Sequence, residues 1–223
     1  MKMKRIVVVL AHPDDETFIC GGTIARYASE GHRVTLVCAT KGEQGRRLGI
    51  PPVATRESLP LLREVELKEA CQSLGISRLV LLGLRDKTLE IQPEGALAGR
   101  VLTWLRTEDA DEVLTFHEKL GGHPDHNAIG AAATAAFLVW QGEKPSARLH
   151  FITWEHIAQR HAQYGFHKTQ VGRIEITAHA RAKLLAYRAH RTQSGLNDWV
   201  WRNEKEGISR LTGVEYLLHH GRD

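Results

Sequence analysis

Residues 11–18 read AHPDDETF, which crowds an imidazole, a proline and three carboxylates directly after the apolar run RIVVVL. Desolvating an unpaired carboxylate is costly, so such a cluster needs a cation, a partner or water. A second segment of related pattern, HPDH at 123–126, again sets possible ligands at i and i+3 around a proline. Proline suits the first turn of a helix, where its missing N–H removes nothing needed. Each segment is therefore expected to open a helix with its polar side chains facing a common crevice. Two histidines and a carboxylate that leave one position for water make a common catalytic zinc arrangement. On the residues alone the ligand set is His12, one of Asp14 and Asp15, and one or two of His117, His123 and His126. A carboxylate beside the ion is placed to take a proton from its water, whose pKa falls from about 15.7 in bulk to roughly 7–9 on coordination. Spacing does not choose between Asp14 and Asp15. Either segment alone reads equally well as a helix cap with a hydrogen-bonded histidine. Two of them, each after a strand of one sheet, make that reading the weaker.

Both segments need strands to present them. RIVVVL (5–10), RVTLVCA (33–39), RLVLLGL (78–84) and DEVLTF (111–116) alternate with helix-like stretches near 17–31, 55–75, 95–107 and 125–139. Strand followed by helix, repeated four times, predicts right-handed βαβ units and a mostly parallel sheet. Runs without polar alternation fit strands covered on both faces. The expected fold is a Rossmann-like three-layer α/β/α sandwich. Ligands of such sheets bind outside the carboxyl ends of the strands. AHPDDE, TKGEQG (40–45), LRDK (84–87) and HEKLGGHPDH (117–126) all fall there. Beyond residue 140 the signal weakens. LHFITW (149–154) and RIEI (173–176) predict strands, and Thr177 is a candidate N-cap for a helix over 178–193. Residues 155–172 and those after 194 carry no clear assignment.

At 223 residues with 42% apolar and 25% charged side chains, the chain suits one domain, 1–223, with 1–140 as its βαβ core. No apolar run approaches a bilayer span, and charge arrives too early for a signal peptide, which points to the cytoplasm with no membrane partner. Cys20, Cys38 and Cys71 lack C-x-x-C spacing, so they are expected as core residues, with neither disulfides nor a cysteine metal site. The net charge of +4 comes from 30 basic and 26 acidic residues scattered along the chain. Without a basic stripe or motif this excludes nucleic acid, while small anionic substrates stay open. Self-association into a homo-oligomer also stays open. Gly21 and Gly22 do not make a dinucleotide site: G-x-G-x-x-G is absent and the adjacent carboxylates would repel a pyrophosphate.

AHPDDE after the first strand, with HPDH after a later one, resembles the LmbE-like, or PIG-L, family of metal-dependent N-acetylglucosaminyl deacetylases. TKGEQG, REVELKEACQSLG (63–75), the aspartate of GLRDKT and HRTQ (190–193) add to a likeness that runs clearly over 1–140 and thinly beyond. The resemblance implies that His12, Asp15 and His126 hold one zinc, with iron or another divalent ion as substitutes. It implies Asp14 as general base and His123 as a charged group steadying the oxyanion. It further implies that Arg63 and Asp86 contact sugar hydroxyls or a neighbouring charge. The implied reaction is attack by metal-bound hydroxide on the acetamide of a small amino-sugar substrate. Competing readings are a hydrolase of thiol S-conjugate amides or phosphoesters, and a non-catalytic sugar- or metal-binding module. The sequence departs from the mycothiol-type members, which carry a tyrosine two residues before the first histidine of the second motif. Gly121 stands there in this chain, and Tyr164 is a candidate replacement. The stretch RRLGIPPVATRESLPLL (46–62) makes the substrate-side loop this chain's own.

Other residues have plainer readings. Arg63 and Glu66 at i, i+3 have the spacing of a surface ion pair. Asp86 has the setting of a turn cap, Glu43 sits on a crevice loop, and His117 is expected to be structural. Trp199 and Trp201 in NDWVW offer an apolar wall for an aglycone, whereas His219 and His220 are expected in a solvated tail.

Overall fold

The computed structural model describes residues 2–93 and 95–221. β1 (Arg5–Leu10) leads through the short α1 (Asp15–Phe18) and α2 (Gly21–Ser29) to β2 (Arg33–Thr40). α3 (Leu59–Leu74) precedes β3 (Arg78–Leu84), α4 (Ala96–Glu108) precedes β4 (Glu112–Phe116), and α5 (Pro124–Glu143) precedes β5 (Arg148–Thr153). The remaining chain forms α6 (Glu155–Gln159), β6 (Val171–Glu175), α7 (Ala180–Ala189), α8 (Arg191–Ser194), α9 (Asp198–Trp201), α10 (Glu204–Arg210) and β7 (Val214–His219). The strands make one seven-stranded sheet in the order β3-β2-β1-β4-β5-β7-β6. Its first five strands are parallel, and β7 runs antiparallel to both β5 and β6. α2, α3 and α7 pack together on one face and α4 and α5 on the other, which completes the three layers.

Ile6 through Leu10 have no exposed surface, and each such side chain stabilises the fold by roughly 1.5–3 kcal/mol. Burial on both faces explains why β1 is a near-continuous apolar run and why β4, EVLTF, is buried throughout. The chain winds outward from β1 to β3 and then returns to β4, so strand order reverses between β1 and β4. The crevice at that reversal is where open α/β sheets take ligands. The two histidine motifs follow these two strands.

Several predicted elements shift. The helix expected near 17–31 is two helices, because the free amides at the start of α2 dock on the buried Glu215 carboxylate: Gly22 N at 2.9 Å and Thr23 N at 2.7 Å. Thr177 is not the cap of a helix over 178–193; it opens a single 3-10 turn, and α7 begins at Ala180. That helix stops at Ala189, since His190 turns inward to Glu16 and Thr192 to Glu66. His219 and His220 are not in a solvated tail. His219 ends β7, with its Nδ1 2.7 Å from His150 Nδ1, and His220 packs edgewise on Phe137 and Phe151. The three cysteines are free and buried. Among the described residues no helix is long and apolar enough to cross a membrane.

Candidate metal centre

Beyond β1 the backbone folds back on itself. His12 N donates to Asp15 Oδ2 at 2.8 Å, which sets both side chains over the crevice. In the second segment His123 is the N-cap of α5, with Nδ1 accepting from Asp125 N at 3.1 Å and Pro124 in the first turn. The first segment departs from the expected pattern, because Pro13 lies ahead of α1 and Asp14 caps it with φ 114°. A non-glycine residue held there stores of the order of 1–3 kcal/mol. Neighbours hold it: Asp14 N donates to Glu16 Oε2 at 2.9 Å, and Arg63 Nη2 donates to Asp14 Oδ2 at 2.9 Å and to the Pro13 carbonyl.

Between the two motifs two imidazole nitrogens and one carboxylate converge. His12 Nδ1 lies 3.2 Å from His126 Nε2, and Asp15 reaches both, Oδ1 at 3.2 Å from His126 Nε2 and Oδ2 at 3.6 Å from His12 Nδ1. The outer nitrogens settle where the ring hydrogens sit. His126 Nδ1 is 2.8 Å from the Gly121 carbonyl, and His12 Nε2 is 3.1 Å from both Asp86 Oδ1 and Asp125 Oδ2. Carbonyls and carboxylates only accept, so those nitrogens donate, and in the neutral rings the inner two present lone pairs. Two lone pairs and a carboxylate aimed at one point call for a cation. The spacings of 3.2–3.6 Å, with Asp15 meeting His126 through Oδ1 and His12 through Oδ2, compare with the ~3.3 Å edges of a tetrahedron with bonds of ~2.0–2.1 Å. The donor set fits one divalent ion, and the carboxylates behind His12 fix its ring as they do for metal-bound histidines.

The electrostatics show how strongly the carboxylates here draw positive charge. Burial disfavours a charged His12, yet the carboxylates of Asp125, Asp15 and Asp86 outweigh it and push its pKa up to about 12. Burial likewise opposes ionised Asp15 and Asp86. The His126 and His12 imidazoles nevertheless hold Asp15 far below the usual carboxylate range, and His12 holds Asp86 at about 2. Asp14 goes the other way, to about 6, because burial dominates and the Arg63 guanidinium only partly offsets it. Burial, with His12 and His126 nearby, lowers the pKa of His123. Because its Nδ1 accepts an amide, His123 is a neutral ring offering Nε2–H, in place of the charged group expected from sequence.

His12, Asp14, Arg63, Asp86 and His123 all border a 210 Å³ cavity at this point. Larger cavities, among them one of 680 Å³ beside Trp154 and Lys183, lie away from the converging donors. Arg63 is 2% exposed and its guanidinium is spent on Asp14 and the carbonyls of Pro13 and Gly42. It makes no surface pair with Glu66, which is buried and accepts from Thr192 N and Oγ1. Asp86 accepts from Gln44 N, and its own amide donates to Glu43 Oε1, so the two loops clasp each other. His117 stays outside the cluster, accepting from Lys119 N and packing edgewise on Phe151 and Phe166. Tyr164 sits on a partly exposed turn and no tyrosine lines the cavity. Gly121 has a reason of its own: a Cβ there would lie 2.7 Å from His126 Cβ and 2.8 Å from Asn127 Oδ1. Trp199 packs on Tyr187, and Trp201 borders a separate groove with Ile50, Pro51 and Val53. Asp125, Glu16 and His190, which the sequence reading did not single out, contact this cluster: Asp125 meets His12 Nε2, and Glu16 joins the Asp14 amide to His190. For Asp125 the signal was present, since a candidate ligand histidine needs an acceptor for its other nitrogen.

The family model described as PIG-L, GlcNAc-PI de-N-acetylase, matches residues 7–137. A Bacillus cereus protein named probable N-acetyl-alpha-D-glucosaminyl L-malate deacetylase 2 is 36% identical over 192 residues, covering 86% of this chain and 84% of that one. A Mycobacteroides abscessus protein named 1D-myo-inositol 2-acetamido-2-deoxy-alpha-D-glucopyranoside deacetylase is 32% identical over 241 residues, covering 89% and 84%. Among solved structures, N,N'-diacetylchitobiose deacetylase from Pyrococcus horikoshii superposes with a TM-score of 0.73 at 21% identity, over 97% of this chain and 83% of that one. At that identity the likeness speaks for the fold alone.

Proposed function

This chain belongs to the PIG-L (LmbE-like) family, and on that premise we propose that it is a zinc-dependent hydrolase that deacetylates an N-acetylglucosamine-type substrate. His12, Asp15 and His126 hold the ion, Asp14 is the general base and His123 the oxyanion donor. The observation that carries this reading is the convergence of two imidazole lone pairs and a carboxylate at 3.2–3.6 Å. Two nitrogens and an oxygen suit zinc, with Fe²⁺ as the nearest substitute. When bound, the ion would supply an acidified water and polarise the acetamide carbonyl.

The chain's own residues do the rest. Asp14, fixed by Arg63 at the cavity wall, takes the proton released as water adds to the carbonyl carbon. The same proton then passes to the departing nitrogen, so the products are acetate and a free amine. The His123 Nε2–H points its dipole at the negative charge that develops on the carbonyl oxygen. Asp125 and Asp86 keep the His12 ring in the orientation that leaves Nδ1 free. Arg63 and Asp86 also border the space for the sugar.

The test is elemental analysis of the purified protein combined with acetate and amine release from N-acetylglucosaminyl compounds. One zinc per chain and equal amounts of both products are expected. Asp14→Ala should lower kcat by about 10²- to 10⁴-fold. Undiminished turnover by that variant removes the base, and no acetate from any such compound removes the reaction.

A further inference from the structure

The seven-stranded sheet has two edges, β3 and β6. An edge strand offers unpaired amides and carbonyls to any strand that comes alongside, and proteins usually blunt it. The β3 edge is blunted. Its register against β2 shifts between Cys38 and Thr40, Gly83 turns to φ 67°, and the Leu82 carbonyl accepts from Arg100 Nη2. β6 instead keeps an unbroken register against β7 from Val171 to Glu175. Ile176 N donates to Gly213 O at 2.8 Å, and hydrogen-bonded pairs alternate along an antiparallel ladder, so Gly172 and Ile174 turn their backbones to β7. Arg173 and Glu175 turn theirs outward. Among the described residues neither the amides nor the carbonyls of these two have a partner.

The side chains of Arg173 and Glu175 share one face of β6, are exposed, and pair with each other. Charges usually guard an edge by repelling a copy of it. Two charges of opposite sign at i and i+2 do the reverse in one register. Set antiparallel about Ile174, two β6 strands bring Arg173 opposite the partner's Glu175 and Glu175 opposite the partner's Arg173. These are the residues whose backbones face outward, so each such pair exchanges two N–H···O bonds. Sliding by two residues either way sets Arg173 against the partner's Arg173 or Glu175 against the partner's Glu175, and like charges directly opposite are unfavourable. Sliding by one residue faces outward amides with inward ones. The backbone bonds supply the attraction and the charges fix the register, since an exposed ion pair alone contributes little.

We infer that β6 is a docking edge for a second copy of this chain, joined antiparallel about Ile174 into a sheet that runs through both subunits. Arg173 also borders the 680 Å³ cavity beside Trp154, Lys183 and Tyr216, so the partner's Glu175 stands at the rim of that cavity. Sedimentation equilibrium of the wild type, Arg173→Glu, Glu175→Arg and the double exchange tests this. A wild-type dimer is expected. Each single reversal sets like charges opposite at both pairs and should weaken the dimer about tenfold, while the double exchange restores it. Arg173→Pro removes only an outward amide, which an edge strand tolerates, so this variant should keep its circular dichroism and sediment as a monomer. A monomeric wild type, which leaves the edge to a different chain, overturns the inference. So does a dimer that the single reversals leave unchanged, that the double exchange fails to restore, or that survives Arg173→Pro.

Discussion

Glu16 Oε1 lies 2.6 Å from His190 Nε2 in the interior, where neither side chain is more than 1% exposed. The other oxygen of Glu16 accepts the Asp14 amide, so this pair reaches the residue assigned as base and pins its unusual backbone. His190→Ala leaves a buried carboxylate without its partner, which costs about 3–5 kcal/mol. Chemical denaturation should show that loss, and kcat should fall while KM changes little.

The same pair sets a pH dependence. Burial alone would lower the His190 pKa, but the Glu16 carboxylate, with Asp14 behind it, raises it above the ordinary 6.5. Stability gained this way is fully present below pH 6.5 and is lost as pH rises through the folded-state value. His190→Gln should therefore destabilise the protein more at about pH 6 than at about pH 9, as read by denaturant midpoints.

Asp125→Asn weakens the acceptor that faces His12 Nε2. Partners of ligand histidines are typically worth about 10- to 100-fold in metal affinity, so the variant should surrender its ion to a chelator at correspondingly lower concentration. Equal retention would remove Asp125 from the centre.

Gly121→Ala drives a methyl group against the His126 side chain and the Asn127 backbone. The His126 ring must then move off the Gly121 carbonyl. Reduced metal content at nearly native secondary structure is the expected outcome, measured by elemental analysis beside circular dichroism.

Gly42→Ala places Cβ 2.0 Å from Arg63 Nη1 at a position with φ 62°. Strain of about 1–2 kcal/mol and a displaced guanidinium should follow together, lowering the melting temperature and freeing Asp14 from its anchor. A crystal structure of the variant with Arg63 unmoved would count against that coupling.

The parallel core and the two motifs were legible because their signals are local. A continuous apolar run announces a strand covered on both faces, and HPDD and HPDH announce candidate ligands by type and spacing, which the fold brings together. What escaped the reading depends on distant partners. Glu16 and His190 are 174 residues apart, and nothing near either predicts the other. Glu66 looked like a surface partner of Arg63 until α8 laid Thr192 over it. β7 shows no strong pattern of its own and becomes a strand by pairing between β5 and β6. His123 was assigned a charge from its resemblance, whereas burial, the nearby imidazoles and its capping bond to Asp125 N favour the neutral ring.

His12 and His126 are separated by 114 residues yet meet across a single strand junction. A growing polypeptide that has not yet delivered α5 would lack His126 of the proposed ligand set, however much of its earlier βαβ structure has condensed. On that ligand set, loading would report that the middle of the sheet is finished. The ion would act as a late staple joining the first strand to the fourth, adding its affinity to the native state alone.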